Sequence, residues 1–424
     1  MRAGLRRPGP GDLAAGLKRL VPLGVVVAVS VVAAFVWAVP GVSSRSTPNL
    51  AAPRPPAGTA PLSAQAGGVS GGEVAAPAAP AALPAQPPAP VTTAEPVVAP
   101  PATAEILSTV KAADTGGGMP SPNVTTVRYG PIPVLPALLG NPTPTIAGAP
   151  LVADLPLLPM PCSNCYVTGT TIDMVYDDGR SANLDTGVML HHLVLFQPMV
   201  PDTTCARSSG IGFMGQRFFA SGNERTPGAL PAGYGVHFGG GPLGAFFEIM
   251  NHSDQLKVVY LTAQVSWLPD STPGMKSVTP VWLDQNNCST STFAIPAGPS
   301  ENVWTWHSSL SGRFVAAGGH VHDGGVKTVL SNQSTGQQIC SSVAGYGGKP
   351  AYMGSVESMS VCSWDRLGTV RKGETLALTT HYNSSVPQGD AMGILIAYLY
   401  PTDDLEGGTP APEAVTNPVA NPNP

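Results

Sequence analysis

Apolar and polar residues alternate in short runs between residues 162 and 401, and clusters of Gly, Pro, Asn and Asp separate the runs. Such alternation is typical of β-strands that bury one face, because successive strand side chains point to opposite sides. No long stretch of this region has the period of an amphipathic helix, and no repeat has the spacing of a solenoid or a propeller. The pattern predicts nine strands: Tyr166–Tyr176, Met189–Gln197, Ala245–Asn251, Lys257–Leu268, Thr279–Leu283, Phe314–Val321, Val326–Ser331, Glu374–Tyr382 and Met392–Tyr400.

Many short strands with Gly-rich connections predict an all-β fold built from antiparallel β-sandwiches. The β region is long for a single sandwich, so we predict two sandwich domains in tandem. The first would occupy residues 121–272 and the second residues 273–401, joined near Pro269–Ser277.

The N-terminal segment predicts a membrane anchor. Residues 20–39 carry no charge and are long enough to cross a bilayer as a transmembrane helix. Basic residues precede this span, so the positive-inside rule places residues 1–19 in the cytoplasm and the rest of the chain outside. A cleaved signal peptide, which would give a secreted protein, is the alternative. Both interpretations export the folded region.

Two further segments are predicted to be disordered. Residues 40–120 consist largely of Ala, Pro, Val, Thr and Gly, a composition that cannot bury a core and is typical of a linker. The tail, residues 402–424, is rich in Pro and Asn and predicts a disordered end. The chain's 49 Gly and 47 Pro agree with a sizeable non-globular part.

The charge content limits the possible binding partners, and the cysteine content indicates the cellular compartment. Only 11% of residues are charged, the net charge is −5, and no basic stripe is present, so nucleic acid is not expected as a partner. An even number of cysteines confined to the β region favours structural disulfides in an oxidising compartment. A redox or zinc role for Cys162 and Cys165 is the alternative, but neither a βαβ pattern nor a second Cys pair at zinc spacing accompanies them. The disulfide candidates, whose pairing stays open, are Cys162, Cys165, Cys205, Cys288, Cys340 and Cys362.

The histidines of the β region carry the candidate chemistry. His320 and His322 lie two residues apart on a predicted strand, so both imidazoles project from one face and could chelate a borderline or soft metal. Two exposed or hydrogen-bonded histidines are the alternative interpretation. A cupin site would also use His-x-His, but it needs a Glu a few residues later, and the segment Asp323–Lys327 provides none.

His191 and His192 are adjacent, and adjacent side chains of a regular strand face opposite ways. Both can bind one metal only at a strand end, a bulge or a bend. Otherwise one histidine would lie in the core and the other on the surface. Met392 stands in an apolar strand, where methionine is typical of core packing. As a thioether near two imidazoles it would favour copper, especially Cu(I).

Other polar residues complete the set of candidates. His252 at a strand end is a further candidate ligand, and His237 in a Gly-rich loop is its rival. We expect carboxylates to orient the imidazoles of the ligands. The residues predicted to take such supporting positions, or structural ones, are His307, His381, Asp323 and Asp254.

In chain order these elements are a His-His pair, a single His, a His-x-His pair and a strand Met. This order resembles the copper type II, ascorbate-dependent monooxygenases, the family of the peptidylglycine α-hydroxylating and dopamine β-monooxygenases. Leu190–Phe196 resembles the family's His-His-Met segment, His320–Leu330 its His-Thr-His strand pair, and Thr380–Tyr398 the stretch that bears its methionine ligand. Val167–Gly179, together with Gly222–Thr226, resembles the stress up-regulated Nod 19 family.

The resemblance implies two jelly-roll sandwiches, one copper on each, facing across a solvent-filled cleft. It assigns an electron-storing copper to His191, His192 and His252. It assigns an oxygen-binding copper to His320, His322 and Met392. Ascorbate would be the reductant, and the substrate would be a small molecule or a peptide.

The sequence therefore predicts a membrane-anchored, extracytoplasmic, copper-dependent monooxygenase that hydroxylates a C–H bond with O2 and a reductant such as ascorbate. Fold and metal do not fix the reaction, so two other functions stay open. One is a copper-binding envelope protein without catalysis. The other is a structural cell-surface module whose histidines bind nothing specific.

Overall fold

The computed structural model describes residues 101–112, 118–137, 144–147, 157–198, 200–205, 215–349, 352, 354–403 and 405. Within these residues the chain forms strands, and Leu184–Thr186 forms a 3₁₀ turn. In the first half of the described chain the strands are β1 (Thr103–Val110), β2 (Asn123–Val134), β3 (Pro144–Ala147), β4 (Leu157–Leu158), β5 (Cys165–Val175), β6 (Val188–Pro198), β7 (Gly215–Gly222), β8 (Gly228–Ala229), β9 (Tyr234–Phe238), β10 (Leu243–Asn251), β11 (Lys257–Pro269) and β12 (Lys276–Ser277). In the second half they are β13 (Thr279–Asp284), β14 (Thr292–Ile295), β15 (Gly298–His307), β16 (Gly312–Val321), β17 (Gly325–Asn332), β18 (Gln337–Tyr346), β19 (Val356–Met359), β20 (Val361–Val370), β21 (Thr375–Ser384) and β22 (Gln388–Pro401).

These strands form four sheets. Sheet 1 has the order β1-β2-β11-β5-β9-β12, with β8 beside β5, and sheet 2 has the order β3-β10-β6-β7, with β4 beside β10. Sheet 3 has the order β13-β22-β16-β20, with β14 beside β22, and sheet 4 has the order β15-β21-β17-β18-β19. Among the described strands the pairs are antiparallel, except that β9 and β12 run parallel. The predicted boundary between residues 272 and 273 lies just before β12, the last strand of sheet 1.

Sheet 3 has two buried faces, and it joins two cores. Along β22, Leu395, Ala397 and Leu399 pack in the core between sheets 3 and 4. The alternate residues Ile394 and Ile396 pack in the same core as the side chains of sheets 1 and 2. Because strand side chains alternate between faces, sheet 3 covers sheet 4 with one face and the first half of the molecule with the other.

Sheet 2 is likewise buried on both faces. The four consecutive residues Leu193–Phe196 of β6 are all buried, which is typical of a strand covered on both sides. One face of sheet 2 meets sheet 1, where the ring of Phe218 packs edge-on against Phe238 at 5.0 Å. The other face meets sheet 3, where Tyr398 Oη donates a hydrogen bond to Phe218 O at 2.7 Å. Sheets 2 and 3 therefore each pack against two other sheets, and sheet 1 also reaches sheet 3, where the ring of Tyr234 packs edge-on against Tyr400 at 5.6 Å.

The prediction of an all-β fold is confirmed, and each of the nine predicted strands corresponds to an observed strand. The other thirteen of the 22 strands were not predicted. Several are only two to four residues long, which is too short for alternation to be recognised, as in β4 and β12. Others carry a weak signal: β15 alternates between half-buried and exposed residues, and its first half, Gly298–Asn302, is Pro-containing and polar.

The prediction of structural disulfides is also confirmed. The described residues form the bonds Cys162–Cys165, Cys205–Cys288 and Cys340–Cys362, and none of their cysteines is free. The first of these excludes a zinc or free-thiol role for Cys162 and Cys165 in this structure. The second joins the segment between β6 and β7 to the turn after β13, and so links sheet 2 covalently to sheet 3.

The predicted linker needs a correction at its C-terminal end. Residues 103–110, within the predicted disordered stretch 40–120, form β1 and pair with β2. The pairing satisfies the backbone groups of β1 that face β2. Most side chains of Thr103–Val110 are exposed, so the segment has no apolar periodicity from which the strand could be predicted. The predicted transmembrane span at 20–39, linker residues 40–100 and 113–117, and nearly all of the predicted tail lie outside the described residues. In the described part of the chain, no helix is long and apolar enough to cross a membrane.

Candidate metal centre

A β-bulge brings His191 and His192 to the same side of β6. The ladder with β10 pairs His192 with Glu248 and Leu190 with Ile249, so His191 is an extra residue without a partner in that ladder. An extra residue bends the strand and redirects its side chain. The two imidazole rings consequently lie side by side, with their centroids 5.1 Å apart. This is the geometry that lets neighbouring histidines share one ion.

His322 reaches the same place from sheet 3. It follows the last residue of β16 and begins a tight turn that Gly325 N closes by donating to His322 O at 2.9 Å. Gly324 takes a positive φ of 86°, a conformation that favours glycine over residues with a Cβ. The turn directs the His322 ring towards sheet 2, where its centroid lies 4.4 Å from that of His191.

Together His191, His192 and His322 form a histidine cluster. Each offers one ring nitrogen, and these atoms all lie within 4.8 Å of one another. Imidazole nitrogens bind zinc at about 2.0–2.1 Å, so three nitrogens arranged evenly around one such ion are about 3.3–3.6 Å apart. The longest separation in the cluster therefore has to shorten by up to about 1.5 Å for a single ion to take all three nitrogens. Three imidazoles suit copper, zinc, iron or nickel, with copper bound most tightly of these.

Each ring of the histidine cluster has a buried nitrogen without a hydrogen-bond partner. These nitrogens are His191 Nδ1, His192 Nδ1 and His322 Nε2. Burial, followed by the charges of the neighbouring histidines, lowers the pKa of His192 and of His322 well below its ordinary value. Both rings are therefore neutral at pH 7 and keep a lone pair for a ligand bond. Buried polar atoms without partners are rare, and a metal ion bound between the rings would give these nitrogens partners.

Glu248 places a carboxylate against the cluster. Its Oε2 lies 3.1 Å from His191 Nδ1, without the alignment of a hydrogen bond, and 3.6 Å from His192 Nε2. Its side chain is 18% exposed. A carboxylate at this position can offset the charge of a bound cation or orient the imidazoles.

Tyr382 fixes the turn that carries His322. Its hydroxyl accepts a hydrogen bond from His322 N at 2.9 Å and donates one to Met392 O at 2.5 Å. Burial, before any other influence, raises the pKa of Tyr382, so the phenol keeps its proton. The hydroxyl thus ties β16, β21 and β22 together at the point where sheet 3 meets the cluster.

The Tyr382→Phe variant is expected to lose roughly 1–3 kcal/mol of unfolding free energy, because two buried backbone groups lose their partner. It should also bind copper more weakly, because the turn at His322 is released. Chemical denaturation and a copper titration measure the two effects. Tyr398→Phe is the matched control, since it also removes a buried hydroxyl but leaves the turn intact. Equal copper affinity in the two variants would show that the Tyr382 hydroxyl does not hold the turn at His322 in place for metal binding.

His320 belongs to a second polar pair beside the cluster. Its Nδ1 lies 3.0 Å from Glu224 Oε1, and its ring is 5.4 Å from that of His322. Gly222 N also donates to Glu224 Oε1, at 2.9 Å. Burial alone would lower the pKa of His320, but the Glu224 carboxylate raises it overall. Burial likewise opposes ionisation of Glu224, and His320 holds the pKa of Glu224 below its ordinary value despite this.

Met392 lies next to His322 on the neighbouring strand. Val321 pairs with Gly393, so His322 and Met392 both lie one residue beyond this pair, and both bond to the Tyr382 hydroxyl. The Met392 side chain is 5% exposed and packs in the core shared by the first three sheets. It occupies the same face of β22 as Ile394.

His252 and His237 are not members of the histidine cluster. His252 is exposed just after β10, where its N–H donates to Gly187 O at 2.7 Å. Partial burial, followed by the charge of His191, lowers the pKa of His252 despite the opposing effect of Asp323. His237 is not in a loop, as predicted, but on β9, because Tyr234–Phe238 pairs with β5. Its exposed ring packs edge-on against Tyr166.

The other predicted supporting residues have structural contacts. Asp323 accepts hydrogen bonds from Ser355 Oγ and Val356 N, both at 2.9 Å. His381 Nδ1 lies 3.4 Å from Glu301 Oε2 across sheet 4, and His307 Nδ1 lies 3.1 Å from Thr375 Oγ1. Asp254 is exposed in the loop between β10 and β11.

Sequence analysis did not identify Glu248, Glu224 or Tyr382 as site residues. Glu224 lies inside Gly222–Thr226, a stretch that carries the resemblance to the Nod 19 family, so that motif was the available signal. Glu248 becomes recognisable only from the strand register, which sets it opposite His192. Tyr382 likewise depends on the pairing of β21 with β17.

Comparisons with known proteins place this arrangement in a family context. Residues 273–402 match the model of the family described as stress up-regulated Nod 19, which confirms the predicted resemblance. The probable copper-dependent oxygenase M1 of Phoma sp. is 28% identical over 260 residues, which cover 56% of this chain and 64% of that protein. The probable copper-dependent oxygenase clz3 of Cochliobolus lunatus is 28% identical over 261 residues, which cover 56% of this chain and 81% of that protein. The match therefore spans less than two thirds of the first relative.

Proposed function

We propose that the protein is a copper-dependent oxygenase whose metal is held by His191, His192 and His322. The observation that carries the proposal is the convergence of three ring nitrogens within 4.8 Å, from two different sheets. The names of the two relatives support copper and oxygenase chemistry, and a cluster of neutral imidazoles suits copper.

The overall reaction proposed is hydroxylation of a C–H bond. One oxygen atom of O2 enters the C–H bond and the other leaves as water, which takes two electrons and two protons from a reductant. Bound copper would supply the one-electron redox chemistry that oxygen activation requires. The chain's own residues would hold and orient the copper: the three imidazoles bind it, and Glu248 offsets its positive charge. Tyr382 positions the ligand His322. We propose ascorbate as the reductant, following the resemblance described above.

The number of coppers is a separate part of the proposal. The resemblance implies two ions and assigns His191 and His322 to different ones. In this structure the two rings lie 4.4 Å apart, which favours one shared ion over two. A tightly bound stoichiometry of two would overturn the single-ion proposal and favour the divided ligand sets, in which His252, His320 and Met392 complete the two sites.

We also propose that the folded region is exported. Three disulfides support an oxidising compartment, because thiols of cytosolic proteins stay reduced. Membrane anchoring through residues 20–39 is part of this proposal, with cleavage and secretion as the alternative. Labelling of intact cells with a membrane-impermeant reagent, with and without a deletion of residues 20–39, tests both.

Removal of cluster residues is expected to abolish copper binding. The wild-type protein should retain about one copper per chain after loosely bound metal is removed, and His191→Ala and His322→Ala should retain almost none, because two imidazoles cannot hold the ion as three do. Elemental analysis and the Cu(II) paramagnetic resonance spectrum measure this. His237→Ala is the matched control, since His237 is exposed on sheet 1. Full copper retention in both cluster variants would show that His191 and His322 do not bind the copper.

The oxygenase reaction has its own test. Ascorbate should abolish the Cu(II) resonance of the loaded protein in the absence of oxygen, and air should restore it. Copper that binds but does not respond to ascorbate and air would exclude the oxygenase and leave a copper-binding protein. Loss of binding in every preparation would leave a structural β-sandwich module.

A further inference from the structure

Glu248 stands directly opposite a cluster histidine on the neighbouring strand. The ladder between β6 and β10 pairs Glu248 with His192, so the two side chains project from the same face of sheet 2. Phe246, two residues before Glu248 on β10, stacks on the His192 ring with centroids 5.3 Å apart. The register of the two strands therefore sets the carboxylate on the face of sheet 2 that carries the His192 ring.

The distances from this carboxylate fit those between two ligands of one ion. Glu248 Oε2 lies 3.1 Å from His191 Nδ1 and 3.6 Å from His192 Nε2. Imidazole nitrogens bind zinc at about 2.0–2.1 Å, and carboxylate oxygens bind it at about 2.0–2.2 Å. At bond angles between about 90° and 120°, a nitrogen and an oxygen on one such ion are therefore roughly 2.8–3.7 Å apart. Both observed distances fall within this range.

Hydrogen bonding does not account for the position of Glu248. His191 Nδ1 has no hydrogen-bond partner although the carboxylate is close, and the distance to His192 Nε2 is too long for a hydrogen bond. Among the described residues, no Lys or Arg forms an ion pair with Glu248. A carboxylate that only orients a metal-bound imidazole accepts a hydrogen bond from its ring N–H, and this carboxylate accepts none from the two rings beside it.

The charge of the site also favours a direct bond. Neutral imidazoles alone would leave the whole charge of a copper ion in a centre where His192 is 8% exposed and the Glu248 side chain is 18% exposed. Burial of an uncompensated charge is strongly unfavourable. One carboxylate ligand cancels the charge of Cu(I) and halves that of Cu(II).

Binding requires a movement of the Glu248 side chain. Glu248 is not a member of the group whose donor atoms all lie within 4.8 Å of one another. Its carboxylate therefore has to shift when the three ring nitrogens close around an ion. Because no hydrogen bond from the described residues holds the carboxylate, this shift breaks no existing interaction of that kind.

We propose that Glu248 is the fourth ligand of the metal, so that the centre has three imidazole nitrogens and one carboxylate oxygen. This inference rests on the metal site of the proposed function, and it names a ligand that the histidine cluster does not include. Soft ligands favour Cu(I), and a carboxylate is a hard anionic donor. Glu248 therefore stabilises Cu(II) relative to Cu(I), and its removal should weaken Cu(II) binding more than Cu(I) binding.

Acetate rescue of full-length, copper-loaded Glu248→Ala tests the assignment. This variant should bind Cu(II) at least about tenfold more weakly than the wild type, with a changed copper hyperfine splitting in the paramagnetic resonance spectrum. Weaker binding alone is not decisive, because loss of an orienting carboxylate also costs about 10–100-fold in metal affinity. Added acetate should restore the wild-type spectrum, because it can take the vacated ligand position. A spectrum that acetate does not change would overturn the assignment.

Glu301→Ala is the matched control for the rescue. Its carboxylate also lies beside a histidine, with Oε2 at 3.4 Å from His381 Nδ1, but on sheet 4 and away from the cluster. Its copper spectrum should equal that of the wild type, with or without acetate. An equal response to acetate in the two variants would show that acetate does not act at the position of Glu248.

Isotope labelling detects the bond without any variant. Wild-type protein that contains glutamate labelled with carbon-13 at the side-chain carboxyl should show a hyperfine coupling between this carbon and Cu(II) in pulsed electron–nuclear double resonance. Unlabelled protein provides the baseline. Absence of the coupling, in a spectrum that does show imidazole nitrogens, would overturn the assignment even if Glu248→Ala does not fold.

Failure of this inference is distinguishable from failure of the proposed function. If His191→Ala and His322→Ala lose copper but no carbon-13 coupling appears, the three-histidine site stands and Glu248 is not a ligand. If the coupling appears but copper does not respond to ascorbate and air, the ligand set stands and the oxygenase does not. A wild-type protein that binds no copper overturns both.

Discussion

Asp202→Ala is expected to lower the unfolding free energy by about 3–5 kcal/mol, the loss typical of a buried ion pair from which one partner is removed. Asp202 and Arg217 are 0% and 1% exposed, and Arg217 Nε lies 2.8 Å from Asp202 Oδ2. Without the carboxylate, the guanidinium stays buried between the sheets with uncompensated charge. Urea denaturation monitored by circular dichroism measures the loss.

The position of this ion pair explains why its effect should extend beyond sheet 2. The Arg217 guanidinium stacks on the ring of Trp282 at 4.6 Å and donates to Asn287 Oδ1 at 3.1 Å. Asp202 also accepts from Thr204 N and Cys205 N, both at 3.0 Å. The pair thus organises the contact between β7 and the residues of sheet 3, and its loss should loosen that contact.

Asp178→Ala is the matched control for this prediction. Asp178 also pairs with an arginine, Arg180, at 2.6 Å, but both side chains are more than half exposed. Exposed ion pairs contribute little because water and salt screen them. We expect a much smaller loss of stability here. A comparable loss in the two variants would show that burial of the Asp202–Arg217 pair is not what makes it important.

The double variant Cys205→Ser/Cys288→Ser is expected to lose about 4–5 kcal/mol of unfolding free energy. These cysteines are 83 residues apart, and a cross-link over a long loop removes much conformational entropy from the unfolded chain. The bond also joins sheet 2 to sheet 3. Because His191 comes from sheet 2 and His322 from sheet 3, copper affinity should fall together with stability. Denaturation and copper titration measure the two effects.

Cys162→Ser/Cys165→Ser provides the comparison, since it removes a disulfide between cysteines only three residues apart. The same dependence on loop length predicts a loss of about 2 kcal/mol of unfolding free energy. Copper affinity should not change, because this bond does not link two sheets. If both double variants lowered copper affinity equally, the covalent link between the sheets would have no special part in shaping the metal centre.

Local pattern explains most of what sequence analysis predicted correctly. Alternation identified long strands such as β5 and β11, because a strand with one buried face shows its period in a few neighbouring residues. The same rule predicted that His320 and His322 project from one face of a strand; in the structure His322 lies just beyond β16, and the two ring centroids are 5.4 Å apart. Short strands such as β12, and exposed ones such as β1, carry no such period, and their existence depends on the strands beside them.

The adjacent histidines show the limit of that rule. Sequence analysis gave a condition for His191 and His192, namely that both bind one metal only at a bend, a bulge or a strand end. The bulge itself arises from the register of β6 against β10, where His192 pairs with Glu248 and His191 is left over. Register is set by packing and turn geometry along the whole strand, so it cannot be predicted from two adjacent histidines alone.

By itself, the sequence determined the all-β class, the nine principal strands, the use of its cysteines and a set of candidate metal ligands, because these follow from composition and from periodicities over a few residues. The tertiary structure decided which of those residues meet. His191 and His322 belong to strands far apart in the chain, and they come together because sheets 2 and 3 pack face to face. Such contacts depend on pairing and layering, which are properties of the folded chain as a whole.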